Sequence, residues 1–162
     1  MTNSKTKFIS DVESFLLTTR KNKKVVLVTG VFDVLHQEHL NFLYKAKQRG
    51  DLLIIGIESD ARVKKLKGKD RPINGQESRQ QNLEKLNLAD IVFVLPEEFE
   101  LSSQHQNLIQ VIKPDVLAVS SHTPNLRAKQ QILQKFGGKV IVVYKRNPKI
   151  SSTKIIEKLE LL

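Results

Sequence analysis

Two histidines, His36 and His39, stand three residues apart in the segment G-V-F-D-V-L-H-Q-E-H at residues 30–39. The β-branched run at 24–30 predicts a buried strand, so the histidines would lie at a turn from a strand into a helix. Imidazoles at that position could donate hydrogen bonds to phosphate oxygens, beside the free amides of the helix N-terminus. Taken alone, two histidines at this spacing more often have a structural or incidental role.

Two other chemistries are less favoured for the same segment. A zinc site lacks an obvious third ligand, and the spacing of His36 and His39 is not that of the H-E-x-x-H motif. Gly30 does not belong to a G-x-G-x-x-G fingerprint, which counts against a dinucleotide-binding dehydrogenase.

Two more segments carry groups that bind phosphate. Residues 62–72 form a basic stretch that includes Lys67 and Arg71, and residues 151–153 are Ser-Ser-Thr ahead of a predicted helix. Hydroxyls and free amides at a helix N-terminus can bind phosphate, but such residues also act simply as helix caps. The lysines could likewise form an ordinary solvated face.

These segments would be positioned by apolar runs that alternate with helical ones. Strands are predicted at 24–30, 52–57, 91–95, 116–119 and 139–144, and helices at about 38–48, 76–86, 103–112, 126–136 and from 152 to the end. A leading helix carries Phe8, Val12, Phe15 and Leu16 at i, i+4, i+7 and i+8. The basic stretch is expected to begin as a helix and end as a loop at Gly68 and Pro72.

Strands that are apolar throughout and alternate with helices predict a parallel sheet covered on both faces. We therefore expect an α/β fold, a single Rossmann-like doubly wound domain with a five-stranded parallel sheet. It would span residues 1–162, with 1–22 as leading helix and basic connector. In such a sheet, ligands bind beyond the carboxyl ends of the strands, so the segments after Thr29, Ile57, Val119 and Tyr144 are the candidates.

Composition narrows the class without deciding it. The chain has 162 residues, 40 % of them hydrophobic, and it has no cysteine, which excludes disulfides and thiolate–metal sites. No apolar run is long enough to cross a bilayer, so we expect no membrane partner and a cytoplasmic location. The net charge of +10 fits a solvated basic surface, nucleic acid or small multiply phosphorylated anions. Nucleic acid is disfavoured, because neither an aromatic-rich RRM strand nor zinc-finger spacing is present.

The segment around the histidines resembles the G-x-F-D-x-x-H-x-G-H motif of the cytidylyltransferase-like nucleotidyltransferases. Residues 58–74, with Glu77 and Arg79 following, and I-S-S-T-K-I-I at 150–156 are similar to two further segments of that family. Arg146 falls where the glycerol-phosphate enzymes carry an arginine. Three motifs in the right order, each at a strand exit, make the resemblance specific. It is closest to heptose-1-phosphate adenylyltransferase domains and then to glycerol-3-phosphate cytidylyltransferases.

The resemblance implies roles for these residues. His36 and His39 would hold a triphosphate and stabilise the charge on its α-phosphorus, and Lys67 would bridge the attacking phosphate and the α-phosphate. Mg²⁺ would accompany ATP or CTP, held mainly by phosphates, with no protein ligand assigned. The other nucleotide-binding residues implied are Gly30, Val31, Phe32, Arg79, Ser120, Ser121, Arg146, Ile150, Ser151, Ser152 and Thr153, and the substrate-binding residues are Asp33, Arg71 and His122.

Some of these residues have alternative roles. Asp33 could orient a ribose, bind metal through water or stabilise the turn. Arg79 could hold triphosphate or pair with a neighbouring carboxylate.

The sequence departs from the family at two places. Glu38 replaces the glycine between the histidines, where its charge could compete with a phosphate for the helix amides if it points inward. Residues 119–122 are V-S-S-H, where the heptose enzymes have a K-G-G-D-like segment. The second change makes heptose 1-phosphate doubtful as the specific acceptor.

The family implies a nucleotidyltransferase that joins a nucleoside monophosphate to a phosphorylated small molecule, such as a sugar or polyol phosphate, and releases pyrophosphate. Residues 62–74 favour adenylyl over cytidylyl transfer, and FMN is a further acceptor compatible with the fold. The alternative is a non-catalytic nucleotide-binding or regulatory protein, which Glu38 and the 120–122 segment motivate. A homodimer is expected from the resemblance alone.

Overall fold

The computed structural model describes residues 5–100 and 102–161. In this part of the chain the strands are β1 (Val25–Gly30), β2 (Leu52–Ile57), β3 (Ile91–Val94), β4 (Val116–Ser120) and β5 (Lys139–Tyr144). The helices are α1 (Ile9–Thr19), α2 (Gln37–Lys47), α3 (Asp60–Lys67), α4 (Gln76–Glu84), α5 (Ser102–Ile112), α6 (Leu126–Lys135) and α7 (Ser152–Glu160). None of the described helices has the length and apolar character needed to span a membrane.

The five strands form one sheet in the order β3-β2-β1-β4-β5, and every neighbouring pair is parallel. The chain runs outward from β1 through β2 to β3, then returns to the other side of β1 for β4 and β5. This reversal is the topological switch point of a doubly wound sheet, at which ligands bind in such folds. The predicted α/β fold class is confirmed.

The core lies on both faces of the sheet because alternate strand residues point to opposite sides. On one face, strand residues such as Leu27, Ile54 and Leu117 pack under helices α1, α5 and α6. On the other face, Val28, Ile55 and their neighbours pack under α2 and α4. Strands β1 to β4 are therefore buried on both sides, apart from a few residues at their carboxyl ends, whereas the edge strand β5 is partly exposed, with Val142 at 48 %.

The predicted elements differ from the observed ones at the chain ends. Phe8 was expected on the buried stripe of the leading helix, but it is the N-cap residue of α1 and is 48 % exposed. Ile9 packs partly against the core instead, alongside the buried Val12 and Leu16. The basic stretch does begin as a helix and end as a loop, with Gly68 at φ 109° after α3. The last helix was predicted to run to the end of the chain, but α7 ends at Glu160 with Leu161 as its C-cap. Leu162 and the predicted domain start at 1–4 lie outside the described residues.

Candidate active site

His36 and His39 lie at the start of α2, just beyond the carboxyl end of β1. His36 is the N-cap residue with an extended backbone, and its ring stacks on that of His39 with centroids 3.8 Å apart. The buried ring of Phe32 packs against His39 at 5.3 Å. The i, i+3 spacing across the first helical turn places both rings on the same side.

The surroundings of both histidines favour the neutral imidazole. Burial lowers the pKa of His39 to about 4, and the charges of His36 and Arg146 act in the same direction. Burial also lowers the pKa of His36, against the opposing effect of Glu38. The Nδ1 atoms of both rings are buried and lack a hydrogen-bond partner among the described residues. Buried polar groups are normally hydrogen-bonded, so the missing partners make these two nitrogens candidates for contact with a ligand.

Asp33 fastens the basic loop over the end of β1. Its side chain is 0 % exposed and pairs with the Arg71 guanidinium at 2.9 Å. Its two carboxylate oxygens also accept hydrogen bonds from the backbone amides of Ile73 and Asn74, at 2.9 and 2.8 Å. The contacts fit the turn-stabilising alternative for Asp33; a direct contact with substrate stays a prediction.

The N-terminus of α7 closes the opposite side. The Ser151 hydroxyl accepts a hydrogen bond from the Lys154 amide, as a helix cap does, and the Ser152 hydroxyl donates to the Val34 carbonyl at 2.8 Å. Arg71 donates to the Thr153 hydroxyl at 3.2 Å, which ties α7 to the basic loop. The free amides of α7 and the hydroxyl of Thr153 therefore border the same space as the histidines.

That space is a pocket of about 450 Å³ at the switch point between β1 and β4. It brings together most of the residues predicted from sequence, from four separate segments of the chain. The predicted residues that line it are Gly30, Val31, Phe32, Asp33, His36, His39, Lys67, Arg71, Ser120, Arg146, Ile150, Ser151, Ser152 and Thr153.

Three predicted residues lie outside the pocket wall: Ser121, His122 and Arg79. Ser121 accepts a hydrogen bond from the Arg146 amide at 3.0 Å and contacts His122, whose side chain is exposed. Neither Ser121 nor His122 lines the pocket, and their predicted ligand contacts stay predictions.

Arg79 has its guanidinium occupied by contacts within the protein, and its predicted nucleotide contact stays a prediction. It is 0 % exposed and donates to the carbonyls of Asn74, Val31 and Glu58 at 2.8–2.9 Å. It also pairs with Asp60 at 2.7 Å, the carboxylate alternative left open by the sequence. The guanidinium holds three loops together behind the pocket instead of facing it, because its donors are aimed at backbone carbonyls.

Sequence reasoning missed several residues of the pocket wall, including Glu58, Lys129 and Tyr144. Glu58 and Tyr144 were within reach of the strand-exit argument, since the first follows β2 and the second ends β5. Lys129 sits inside α6, where no sequence signal distinguishes it from other helix lysines.

Glu38 lines the pocket, and its carboxylate is bound to the segment at the end of β5. Its carboxylate accepts a hydrogen bond from the Tyr144 hydroxyl and a longer one, at 3.5 Å, from the Asn147 amide. The hydrogen bond to Glu38 raises the pKa of Tyr144, and the ammonium of Lys45 lies 5.3 Å from the centre of the tyrosine ring. The residue that replaces the family glycine is thus tied to the end of β5.

Comparison with known proteins supports the family that the sequence motifs predict. Residues 27–158 match the family model described as cytidylyltransferase-like. The "Bifunctional protein HldE" of Campylobacter concisus is 45 % identical over 113 residues, 70 % of this chain and 23 % of that protein. Its counterpart in Pelobacter propionicus is 36 % identical over 92 % of this chain and 30 % of that protein. The chain spans less than a third of the length of these relatives.

A solved structure is also similar. It is the lipopolysaccharide core biosynthesis protein from Thermoplasma volcanium, with a TM-score of 0.63 and 25 % identity, covering 77 % of this chain and 98 % of that one. Because the family model covers most of the chain and its three motifs meet in one pocket, the family predicted from the sequence is confirmed. The chain belongs to the cytidylyltransferase-like family of nucleotidyltransferases.

Proposed function

We propose that the chain transfers AMP from ATP to the phosphate of a small sugar or polyol phosphate and releases pyrophosphate. The observation that carries this proposal is the pair of stacked imidazoles at the N-terminus of α2, whose buried Nδ1 atoms find no hydrogen-bond partner in the described part of the chain. They share their pocket with Arg146 and the N-terminus of α7. Each of these groups is a donor or a positive pole suited to phosphate.

The reaction needs alignment and charge stabilisation, without a covalent enzyme intermediate. An oxygen of the acceptor phosphate forms a bond to the α-phosphorus of ATP, while the bond from that phosphorus to the oxygen bridging to the β-phosphate breaks. Pyrophosphate leaves with that bridging oxygen and the bonding electron pair. His36 and His39 would donate N–H groups to oxygens whose charge grows in the transition state, and one well-placed donor is worth about 3 to 4 kcal/mol.

Two basic side chains would complete the charge balance. Lys67, the last residue of α3, lies on the pocket wall with an exposed chain that can follow the incoming phosphate. Arg146 lies close enough to His36 and His39 to lower the pKa of both rings. A bound triphosphate would reverse that effect, because its negative charge favours the imidazolium form.

Magnesium would enter with the nucleotide. Among residues 5–100 and 102–161, no group of three or more His, Asp and Glu side chains is arranged to hold a metal ion. Both oxygens of Asp33 already accept hydrogen bonds within the protein. An ion carried by phosphate oxygens and water suits such a pocket, and it would neutralise part of the triphosphate charge.

The choice of AMP and of a sugar phosphate rests on likeness. Residues 62–74 resemble heptose-1-phosphate adenylyltransferases, and one solved relative is a lipopolysaccharide core biosynthesis protein. The same resemblance supports a homodimer, which sedimentation equilibrium would test.

The first experiment is a thermal-shift titration with ATP, CTP, GTP and UTP, each with and without Mg²⁺. A ligand at a hundred times its Kd stabilises the folded state by about 2.7 kcal/mol, which is easily detected. We expect the largest shift with ATP. Pyrophosphate release is then measured with ATP and a panel of sugar and polyol phosphates, with Gln37→Ala as a control beside the histidines. Absence of release with every acceptor and every triphosphate would contradict the proposal.

Glu38 favours one competing function. A carboxylate on the wall of a triphosphate pocket adds repulsion that the family glycine does not, so the chain could bind a nucleotide without turning it over. A clear thermal shift with ATP, combined with no pyrophosphate release from any acceptor, would support this non-catalytic alternative.

A further inference from the structure

Two further charged side chains, Glu58 and Lys129, line the same pocket. Glu58 is the first residue after β2, its side chain is only 15 % exposed, and burial raises the pKa of its carboxyl group. Its Oε2 atom is buried and, among the described residues, has no hydrogen-bond partner. The Nε atom of Arg62 lies 3.9 Å from this oxygen, an ion pair too long for a hydrogen bond, and it too is buried with no hydrogen-bond partner among the described residues.

The long ion pair leaves the hydrogen-bonding capacity of both atoms unused. Arg62 is already held in place, since another of its nitrogens donates to Glu100 at 2.5 Å. A buried carboxylate oxygen and a buried N–H without partners each cost free energy, so native structures seldom leave them unpaired. The other buried unpartnered side-chain atoms of the described residues belong to His36 and His39, which face the pocket. Glu58 lines the pocket away from the histidines, and it therefore brings there a carboxylate oxygen that has no hydrogen-bond partner among the described residues.

Lys129 approaches Glu58 from α6. It lines the pocket, burial lowers the pKa of its ammonium group, and the nearby Glu58 acts in the opposite direction. The two side chains influence each other's pKa without forming an ion pair within 4 Å. The loop before α6 also borders the pocket through Thr123 and Pro124.

A neighbouring carboxylate and ammonium suit a neutral, hydroxyl-rich ligand. Lys129 alone would attract a second anion, but the charge of Glu58 offsets it. Adjacent hydroxyl groups, in contrast, can donate to the carboxylate and accept from the ammonium, and hydrogen bonds to charged groups are the stronger kind. The acceptor phosphate itself is accounted for at the histidine end.

We propose that Glu58 and Lys129 form the acceptor end of the pocket and select a phosphate ester whose remainder carries several hydroxyl groups, with Glu58 as the principal specificity-determining residue. This inference rests on the proposed function for the position of the acceptor phosphate. The assignment predicts weaker binding of acceptors whose remainder is apolar, such as simple alkyl phosphates.

Isothermal titration calorimetry tests the assignment with Mg²⁺ and α,β-methylene-ATP bound. The hydroxyl-rich probes are mannose 1-phosphate, glucose 1-phosphate and sedoheptulose 7-phosphate, and ethyl phosphate is the probe without hydroxyl groups. We expect the wild-type chain to bind at least one sugar phosphate about tenfold or more tightly than ethyl phosphate. Glu58→Gln and Lys129→Gln should each remove most of that preference, which is measured as the ratio of the two affinities because each substitution also changes the charge that both probes meet.

The matched controls are Glu97→Gln and Lys139→Gln, both exposed and away from the pocket wall. They should keep the preference. If no sugar phosphate binds more tightly than ethyl phosphate, or if the preference survives Glu58→Gln, the assignment is overturned.

Pyrophosphate release separates this inference from the proposed function. If binding prefers sugar phosphates through Glu58 but no triphosphate gives pyrophosphate release, the acceptor-site assignment is supported and the proposed transferase activity is contradicted. If pyrophosphate is released with equal kcat/KM for ethyl phosphate and sugar phosphates, the transferase activity is supported and the acceptor-site assignment is contradicted.

Discussion

The carboxylate of Glu38 accepts a hydrogen bond from the hydroxyl of Tyr144, a residue 106 positions further along the chain. The contact joins the first turn of α2 to the end of β5 and holds the acidic side chain against one wall of the pocket. In this position the charge of Glu38 stays on the wall of the pocket in which we propose that a triphosphate binds. We therefore expect Glu38 to act on nucleotide affinity through its charge.

We expect Glu38→Gln to tighten ATP binding by about fivefold, because it removes a negative charge while an amide oxygen can still accept from Tyr144. Tyr144→Phe should weaken ATP binding, since the released carboxylate can turn toward the phosphates. In the Glu38→Gln background, Tyr144→Phe should have little further effect. Calorimetry of ATP binding checks these values, with Glu77→Gln, in the first turn of α4 and exposed, as the control. Equal affinities in all variants would show that Glu38 does not act on the nucleotide.

His36→Ala and His39→Ala should each lower kcat for pyrophosphate release by about a hundredfold or more. Each removes a donor aimed at charge that develops in the transition state. The control is Gln37→Ala, since Gln37 lies between the two histidines and is exposed. Near-normal turnover in either histidine variant would contradict the phosphate-binding assignment.

The pKa of His39 also predicts how stability depends on pH. Because the folded pKa is about 4 and the ordinary value is 6.5, the unfolded chain binds a proton at this site that the folded chain does not, between those pH values. The free energy of unfolding therefore falls as the pH is lowered from about 6.5 to 4, and this residue contributes about 3 kcal/mol of the decrease. The matched comparison is His39→Gln, whose urea unfolding curves at pH 7 and pH 4 should differ by less than those of the wild type. An identical pH dependence in both proteins would contradict the lowered pKa.

Much of the fold is readable from the sequence because β-branched apolar runs and intervening helices leave few arrangements other than a doubly wound sheet. The histidine pair and the serine run could be located for the same reason, since the carboxyl ends of parallel strands meet at one edge. Contacts between distant side chains could not be read in this way. The pairing of Glu38 with Tyr144 and the approach of Lys129 to Glu58 depend on packing distances that no local pattern encodes.

Arg79 and Asp33 show a second limit. A charged residue inside a ligand-binding motif looks the same in sequence whether it faces the ligand or supports the loop that does. Only the surroundings distinguish the two roles: carbonyls and Asp60 around Arg79, and Arg71 with two backbone amides around Asp33. Phe8 illustrates a simpler case, in which helix periodicity was extended one residue too far.

Asp33→Ala should lower the free energy of unfolding by about 3 to 5 kcal/mol, because it leaves the largely buried Arg71 guanidinium and two backbone amides without their partner. Chemical denaturation measures this loss. Asp70→Ala, at an exposed position in the same loop, should change the stability by less than about 0.5 kcal/mol. A loss of similar size in the two variants would mean that the loop is not held by Asp33.

Arg79→Lys separates a supporting role from direct nucleotide contact. Lysine keeps the charge but cannot reach the carbonyls of Val31, Glu58 and Asn74 together, so we expect a loss of stability of about 3 kcal/mol or more. The Kd for ATP, measured where the variant is fully folded, should change by less than threefold because the guanidinium is fully buried behind the pocket. The opposite result, unchanged stability with ATP binding weakened more than tenfold, would restore the nucleotide contact predicted from the sequence. The two measurements together thus decide whether this arginine acts on the ligand or on the loops that surround it.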